Sequence, residues 1–210
     1  MKLHHTLKLT LLAATACIAL SGVTSTAAAA QPTGVASTSA HALPADSLYW
    51  LSVPLTDAQG KKFDLRDLAG RPVLVTMFYG DCNTACPIVL ENLQQTMKAL
   101  KPASEKLSVL MVSLDPLHDS PASLAHLGQS HHLDQSNFRL AVGKDEAHTR
   151  AMAAALNIKY RVLGGGEISH NTRVCLLDAD GKIIASSTQL SAAPDQEFLK
   201  KIRVALKQNL

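Results

Sequence analysis

The sequence predicts an α/β domain built around a mixed, mainly parallel sheet, and three observations carry that prediction. "PVLVTMFY" (72–79) and "LSVLMVSLD" (107–115) are apolar runs of β-branched character, the pattern of strands buried on both faces. After the first run, apolar residues recur at Leu90, Leu93, Met97 and Leu100, the three-and-four spacing of an amphipathic helix. Further on, Asp180 and Gly181 mark a tight turn between two strand-like segments, which adds antiparallel strands to the sheet.

The elements follow in order. "LSVPLTDAQGKKFDLRDLAG" reads as a strand, a turn at Gly60 and a second short strand, an N-terminal hairpin. "PVLVTMFY" is the first core strand, "IVLENLQQTMKALK" the helix after it and "LSVLMVSLD" the second core strand. Ser120, with Pro121 at the first helical position, opens a helix over "SPASLAHLGQSHHL". "FRLAVG" is again a strand and "DEAHTRAMAAALN" a helix; "GGGEISHNTRVCLLDADGKIIASSTQL" holds the hairpin, and "PDQEFLKKIRVALKQ" is a terminal helix. The order β-α-β-α-β-α-β-β-α, with a helix directly behind the first core strand, predicts a thioredoxin-like fold: a central mixed sheet flanked by helices, preceded by the N-terminal hairpin. Residues 48–210 are read as one domain, with no internal repeat.

The first thirty residues are unlike the rest. "MKLHHTLK" carries Lys2 and Lys8, "LTLLAATACIAL" is apolar and "STAAAA" ends in small residues, the three-part layout of a cleaved secretory signal ending near Ala30. Residues 31–47 read as a flexible lead-in. A membrane-spanning helix needs roughly 20 apolar residues, and this run is interrupted by Ser21, Gly22, Thr24, Ser25 and Thr26. "ATAC" imitates a lipoprotein box at Cys17 only loosely, because Ala14 stands where a larger aliphatic residue is usual. The expected location is therefore the periplasm, with a membrane tether at the N-terminus, through a lipid on Cys17 or an uncleaved signal, as the less favoured alternative. Without the two signal lysines, 18 of the 20 basic side chains face 17 acidic ones, a near-neutral balance that gives no reason to expect a nucleic-acid partner.

Three cysteines remain in the exported part, Cys82, Cys86 and Cys175, and an odd number cannot form a fully paired disulfide framework. Cys82 follows the first core strand and Cys86 opens the next helix, at the carboxyl edge of the sheet where ligands bind in open α/β folds. Backbone N–H groups and the helix dipole favour thiolates there. Four residues apart, the two sulfurs can close a disulfide or grip one ion, so a structural bridge, a redox couple and half a metal site all fit the spacing. His170, at the start of a strand expected beside the first core strand, is the candidate third ligand. Two thiolates and one imidazole suit Cu(I) well and tolerate Cu(II); structural zinc usually takes a fourth protein ligand, and the sequence offers no convincing one.

"FYGDCNTACP", "VSLDPLHDSPASLAHL" and "SHNTRVCLLDADGKI", in this order, resemble the Sco/SenC family of thioredoxin-like copper proteins in cytochrome oxidase assembly, over roughly Leu51 to Leu206. The resemblance implies one copper ion held by Cys82, Cys86 and His170, and a supporting, non-ligating role for Asp115 in the "DP" segment. It implies delivery to the copper-site subunit of cytochrome c oxidase. Another periplasmic copper chaperone or a thioredoxin-like reductant would be further partners. Asn83 and Thr84 depart from the family's usual proline and acid between the cysteines, which bears on affinity and partner choice rather than on the ligand set.

The alternative is a thiol-disulfide oxidoreductase that maintains the cysteines of the oxidase copper site or acts as a redox sensor, with Cys82 and Cys86 forming a redox-active disulfide when oxidised. Such proteins generally use C-x₂-C and a cis-proline in the loop that here holds Ser169 and His170, and this chain has no proline between Pro121 and Pro194. An odd offset from His170 would send Cys175 to the opposite face of a regular strand, so it reads as a buried packing thiol. Met77, Met97 and Met111 read as core, the histidines at 118, 126, 131, 132 and 148 as mostly solvated, and Gly164–Gly166 as a mobile connection that lets His170 approach or leave the metal.

Overall fold

The computed structural model of the chain describes residues 42–82 and 85–208. The expected signal segment, Cys17, most of the lead-in, and Asn83 and Thr84 lie outside the described residues.

Strands and helices alternate as β1 (Leu55–Asp57), β2 (Lys62–Phe63), β3 (Val73–Phe78), α1 (Ala85–Ala99), β4 (Ser108–Ser113), α2 (Pro121–Ser130), β5 (Phe138–Gly143), α3 (Glu146–Ala155), β6 (Tyr160–Val162), β7 (Ile168–His170), β8 (Val174–Leu177), β9 (Ile183–Ser187) and α4 (Gln196–Gln208). Seven strands form one sheet in the order β2-β1-β5-β4-β3-β8-β9. Its centre, β5-β4-β3, is parallel, and β1 and β8 join it antiparallel on either side. This is the thioredoxin-like mixed sheet that the element order predicts, with the N-terminal hairpin formed by β1 and β2.

Every residue of β3 and β4 is buried, so helices cover both faces of the sheet at its centre. Burying each Val, Leu, Met or Phe side chain in these strands contributes roughly 1.5–3 kcal/mol. Helix α1 turns Val89, Leu90, Leu93 and Met97 into the core, the face that the spacing predicts. Asn92 on the same helix donates to the carbonyls of Ser191 and Ala193, both at 2.8 Å, and so ties α1 to the segment leading into α4. The start of α2 is fixed by a reciprocal cap: the Ser120 hydroxyl accepts from the Ser123 N–H at 3.2 Å, and the Ser123 hydroxyl from the Ser120 N–H at 2.9 Å.

One element differs from the sequence reading. Residues 160–170 are a separate two-stranded sheet, β6 paired antiparallel to β7, and Gly164–Gly166 form its turn rather than an open connection. Gly165 and Gly166 hold φ angles of 79° and 84°, a left-handed backbone that glycine adopts without steric cost. Each strand spans three residues, too short for period-two alternation to stand out in the sequence.

Candidate metal centre

The site is built where β3 ends. Beyond Val75 the β3–β8 ladder stops, and the buried Thr76 hydroxyl donates instead to the Arg173 carbonyl at 2.8 Å. That bond holds the 171–173 link, and with it His170, beside the last residues of β3. After Phe78 the chain turns through Tyr79, Gly80 and Asp81 to Cys82, whose N–H donates to the Tyr79 carbonyl at 3.3 Å.

Cys82 and Cys86 are 7% and 4% exposed, so this pair of thiols is shielded from solvent. The Cys86 N–H, in the first turn of α1, donates to the Cys82 sulfur at 3.3 Å, the charge-stabilising contact a helix amino end offers a thiolate. Burial pushes the Cys86 thiol well above the ordinary range, with further upward contributions from its hydrogen bond with Cys82 and from the charges of Cys82 and Asp119. Cys86 is therefore a protonated thiol at neutral pH until something displaces the proton.

His170 closes β7, opposite Tyr160, rather than opening the main-sheet strand expected from the sequence. Its Nδ1 lies 3.2 Å from the Asn171 carbonyl oxygen, an acceptor, which places the proton on Nδ1 and leaves the Nε2 lone pair available. Burial lowers its pKa below the usual imidazole value, so the ring is neutral at pH 7. Tyr79 meets it edge to face, with centroids 6.0 Å apart and planes at 81°.

One ligand atom each from Cys82, Cys86 and His170 lie within 4.8 Å of one another. Donors that bind an ion at about 2.0–2.3 Å stand within about 4.6 Å of each other at any angle, so small side-chain adjustments suffice to bring all three onto one ion. Two buried sulfurs are soft donors and a neutral imidazole also suits copper, a set that fits copper in its lower oxidation state.

Asp115, expected to support the site, accepts from the His118 N–H at 3.2 Å and pairs with its Nδ1 at 2.8 Å, on the loop after β4. The acid that reaches the cysteine turn is Asp119, which the sequence reading did not single out. Its Oδ2 accepts from the Gly80 N–H at 2.9 Å and from the Ser113 hydroxyl, binding the turn to the end of β4. Burial raises its pKa, against the lowering effect of those two hydrogen bonds. A Cβ added at Gly80 would collide with this carboxylate, so only glycine allows the approach. The signal in the sequence was an acid four residues after Asp115, on a loop at the carboxyl edge of the sheet.

Cys175 lies in β8 and His170 in β7, so the strand-parity argument does not apply to them; Cys175 is fully buried and stands apart from the three-residue group. Met77, Met97 and Met111 are core residues. His148 pairs with Asp145 at 2.6 Å, and none of the other histidines joins the group among the described residues.

Fold and site together define a thioredoxin-like α/β protein with a two-thiol, one-imidazole cluster at the carboxyl edge of its sheet. A sequence model described as SCO1/SenC matches residues 52–207, and the chain belongs to that family. It is similar to the SCO1 protein homolog of Bacillus subtilis (strain 168), 23% identical over 164 residues that cover 76% of this chain and 85% of the relative. Among solved structures, a SCO1/SenC family lipoprotein from Bacillus anthracis superposes with a TM-score of 0.68 at 24% identity, over 78% of this chain and 99% of the other. ScoI from Bradyrhizobium japonicum, solved with copper bound, gives a TM-score of 0.61 at 21% identity, over 76% and 98%. No helix among the described residues is long and apolar enough to cross a membrane.

Proposed function

We propose that this chain is an exported copper carrier in which reduced Cys82 and Cys86, with His170, hold one copper ion, Cu(I) or Cu(II), and pass it to the copper-site subunit of a cytochrome c oxidase. The observation that carries the reading is the convergence of two sulfurs and one imidazole nitrogen within 4.8 Å in a member of the SCO1/SenC family. Support also comes from the Bradyrhizobium relative with copper bound and, for export, from the signal-like segment of the first thirty residues. Copper is the cargo. What this chain supplies is a shielded pair of thiols, a neutral imidazole already aligned by the Asn171 carbonyl, and a turn clamped by Asp119. Release proceeds by exchange of donors, thiols of the acceptor replacing those of Cys82 and Cys86 one at a time. Oxidation of the two thiols to a disulfide gives up two electrons and two protons to an external oxidant and removes the metal-binding form.

Metal analysis of the reduced protein tests the proposal: one copper per chain is expected, lost in Cys82→Ala, Cys86→Ala and His170→Ala. Stoichiometric copper in the His170 variant counts against the site. A thiol-disulfide oxidoreductase would instead turn over a disulfide substrate without metal. An insulin-reduction assay on the metal-free protein separates the two.

A further inference from the structure

The hairpin that carries His170 also borders a cavity of about 550 Å³, and His170 itself is part of its wall. Lys159, Arg161 and Arg173 line this cavity, and no acidic side chain does. Among the described residues, none of the three cations forms an ion pair, while Arg139, Arg150, Lys182 and Lys200 all do. The Nε of Arg173 is buried with no hydrogen-bond partner. Three uncompensated positive charges therefore surround one groove beside a metal-ligand residue, in a domain whose basic and acidic residues otherwise nearly balance. A second cavity of about 400 Å³ also borders the hairpin; there Arg161 meets Val162 and Leu117, which are 59% and 70% exposed, together with the acids Asp115 and Glu146, so a lining whose charges are all cationic belongs to the first cavity alone. A small anion has no use for these apolar side chains; a polypeptide does.

We propose that the β6–β7 hairpin is the docking surface for the copper-accepting protein, and that the partner is recognised through an acidic segment seated on Lys159, Arg161 and Arg173. This rests on the carrier reading above for the identity of the partner as an acceptor. Charge of this kind steers encounter and fixes orientation. Docking there brings the acceptor against His170, the member of the cluster that lines the groove.

The test uses the full-length reduced protein and fluorescein-labelled hexaglutamate at low ionic strength, with binding read by fluorescence anisotropy. Wild type is expected to bind with an affinity that falls as salt rises, and Lys159→Glu/Arg161→Glu to bind about tenfold more weakly or worse. Lys201→Glu/Lys207→Glu, which removes the same net charge from α4, is expected to stay within about twofold of wild type. Equal losses in the two double variants, no loss in either, or complete displacement of the peptide by millimolar inorganic phosphate would overturn the proposal, the last by revealing a small-anion site. Copper stoichiometry is measured on the same samples. The groove variant is expected to retain one copper per chain, which also shows that it is folded, and Lys159→Gln/Arg161→Gln is expected to weaken the peptide in the same direction. Absence of copper from wild type together with selective peptide binding would sink the carrier reading and leave the acidic-ligand groove standing.

Discussion

The two halves of the proposed ligand set stand on very different supports. Cys82 and Cys86 hang from β3, which has a hydrogen-bonded neighbour on each side and is buried along its whole length, and their turn is clamped to β4 through Asp119. His170 ends a two-stranded hairpin of three-residue strands that lies outside the seven-stranded sheet. A hairpin of that size has little stability of its own in water. The imidazole is instead placed by a few local contacts: the Thr76 hydroxyl on the Arg173 carbonyl, the Asn171 side chain accepting from the Lys159 N–H at 2.6 Å, and the T-shaped contact with the Tyr79 ring. The carrier proposed above has to hold metal and also give it up, and a fixed pair of sulfurs opposite a weakly anchored imidazole would satisfy both demands.

The sharpest way to break this comparison is to remove ligands from each half. Cys82→Ala or Cys86→Ala is expected to lower copper affinity by at least about a thousandfold, because one sulfur and one nitrogen cannot hold the ion in competition with a thiol buffer. His170→Ala is also expected to abolish tight 1:1 binding; titration against a chelating competitor measures all three. Smaller, but on the rigid half alone, Gly80→Ala pushes Asp119 off the cysteine turn. It should cost about 10- to 100-fold in copper affinity, as loss of a group supporting a ligand typically does, with a lower melting temperature.

Acidity sharpens the contrast further. Because burial has raised the Cys86 pKa, the metal must displace a proton, so apparent affinity should climb by about tenfold per pH unit for each proton released. The sign for the metal-free fold is opposite. Folded Cys86 and Cys175 keep protons that unfolded thiols lose near pH 8.5, so stability is fully present below that pH and declines as pH rises above it. Urea unfolding of the reduced protein at pH 7 and pH 9.5 checks this, and Cys175→Ser should shrink the decline without altering copper stoichiometry. The smallest effect belongs to the hairpin. Gly165→Ala places a Cβ in open space but on a left-handed backbone, a strain of roughly 1 kcal/mol or a fivefold change in an equilibrium. Hydrogen exchange should quicken across residues 160–170 while global melting stays put.

The same contrast explains what could be read from the sequence. β3, β4 and α1 were legible because long apolar runs and three-and-four spacing report burial directly, and the two sulfurs come from one short segment. His170 was legible only through the fold, as a residue expected near the end of the first core strand. The β6–β7 hairpin was not, since three-residue strands with mixed side chains carry no period. Asp119 was missed because its role lies in a contact with Gly80, 39 positions away in the chain, and no local pattern encodes that contact.

X-ray absorption at the copper edge of the reduced, copper-loaded protein tests the central claim most directly. Two sulfur scatterers and one imidazole nitrogen are predicted, with the imidazole signal lost in His170→Ala. A spectrum unchanged in that variant, or one with sulfur ligation alone in wild type, would contradict a site shared between the sheet and the hairpin.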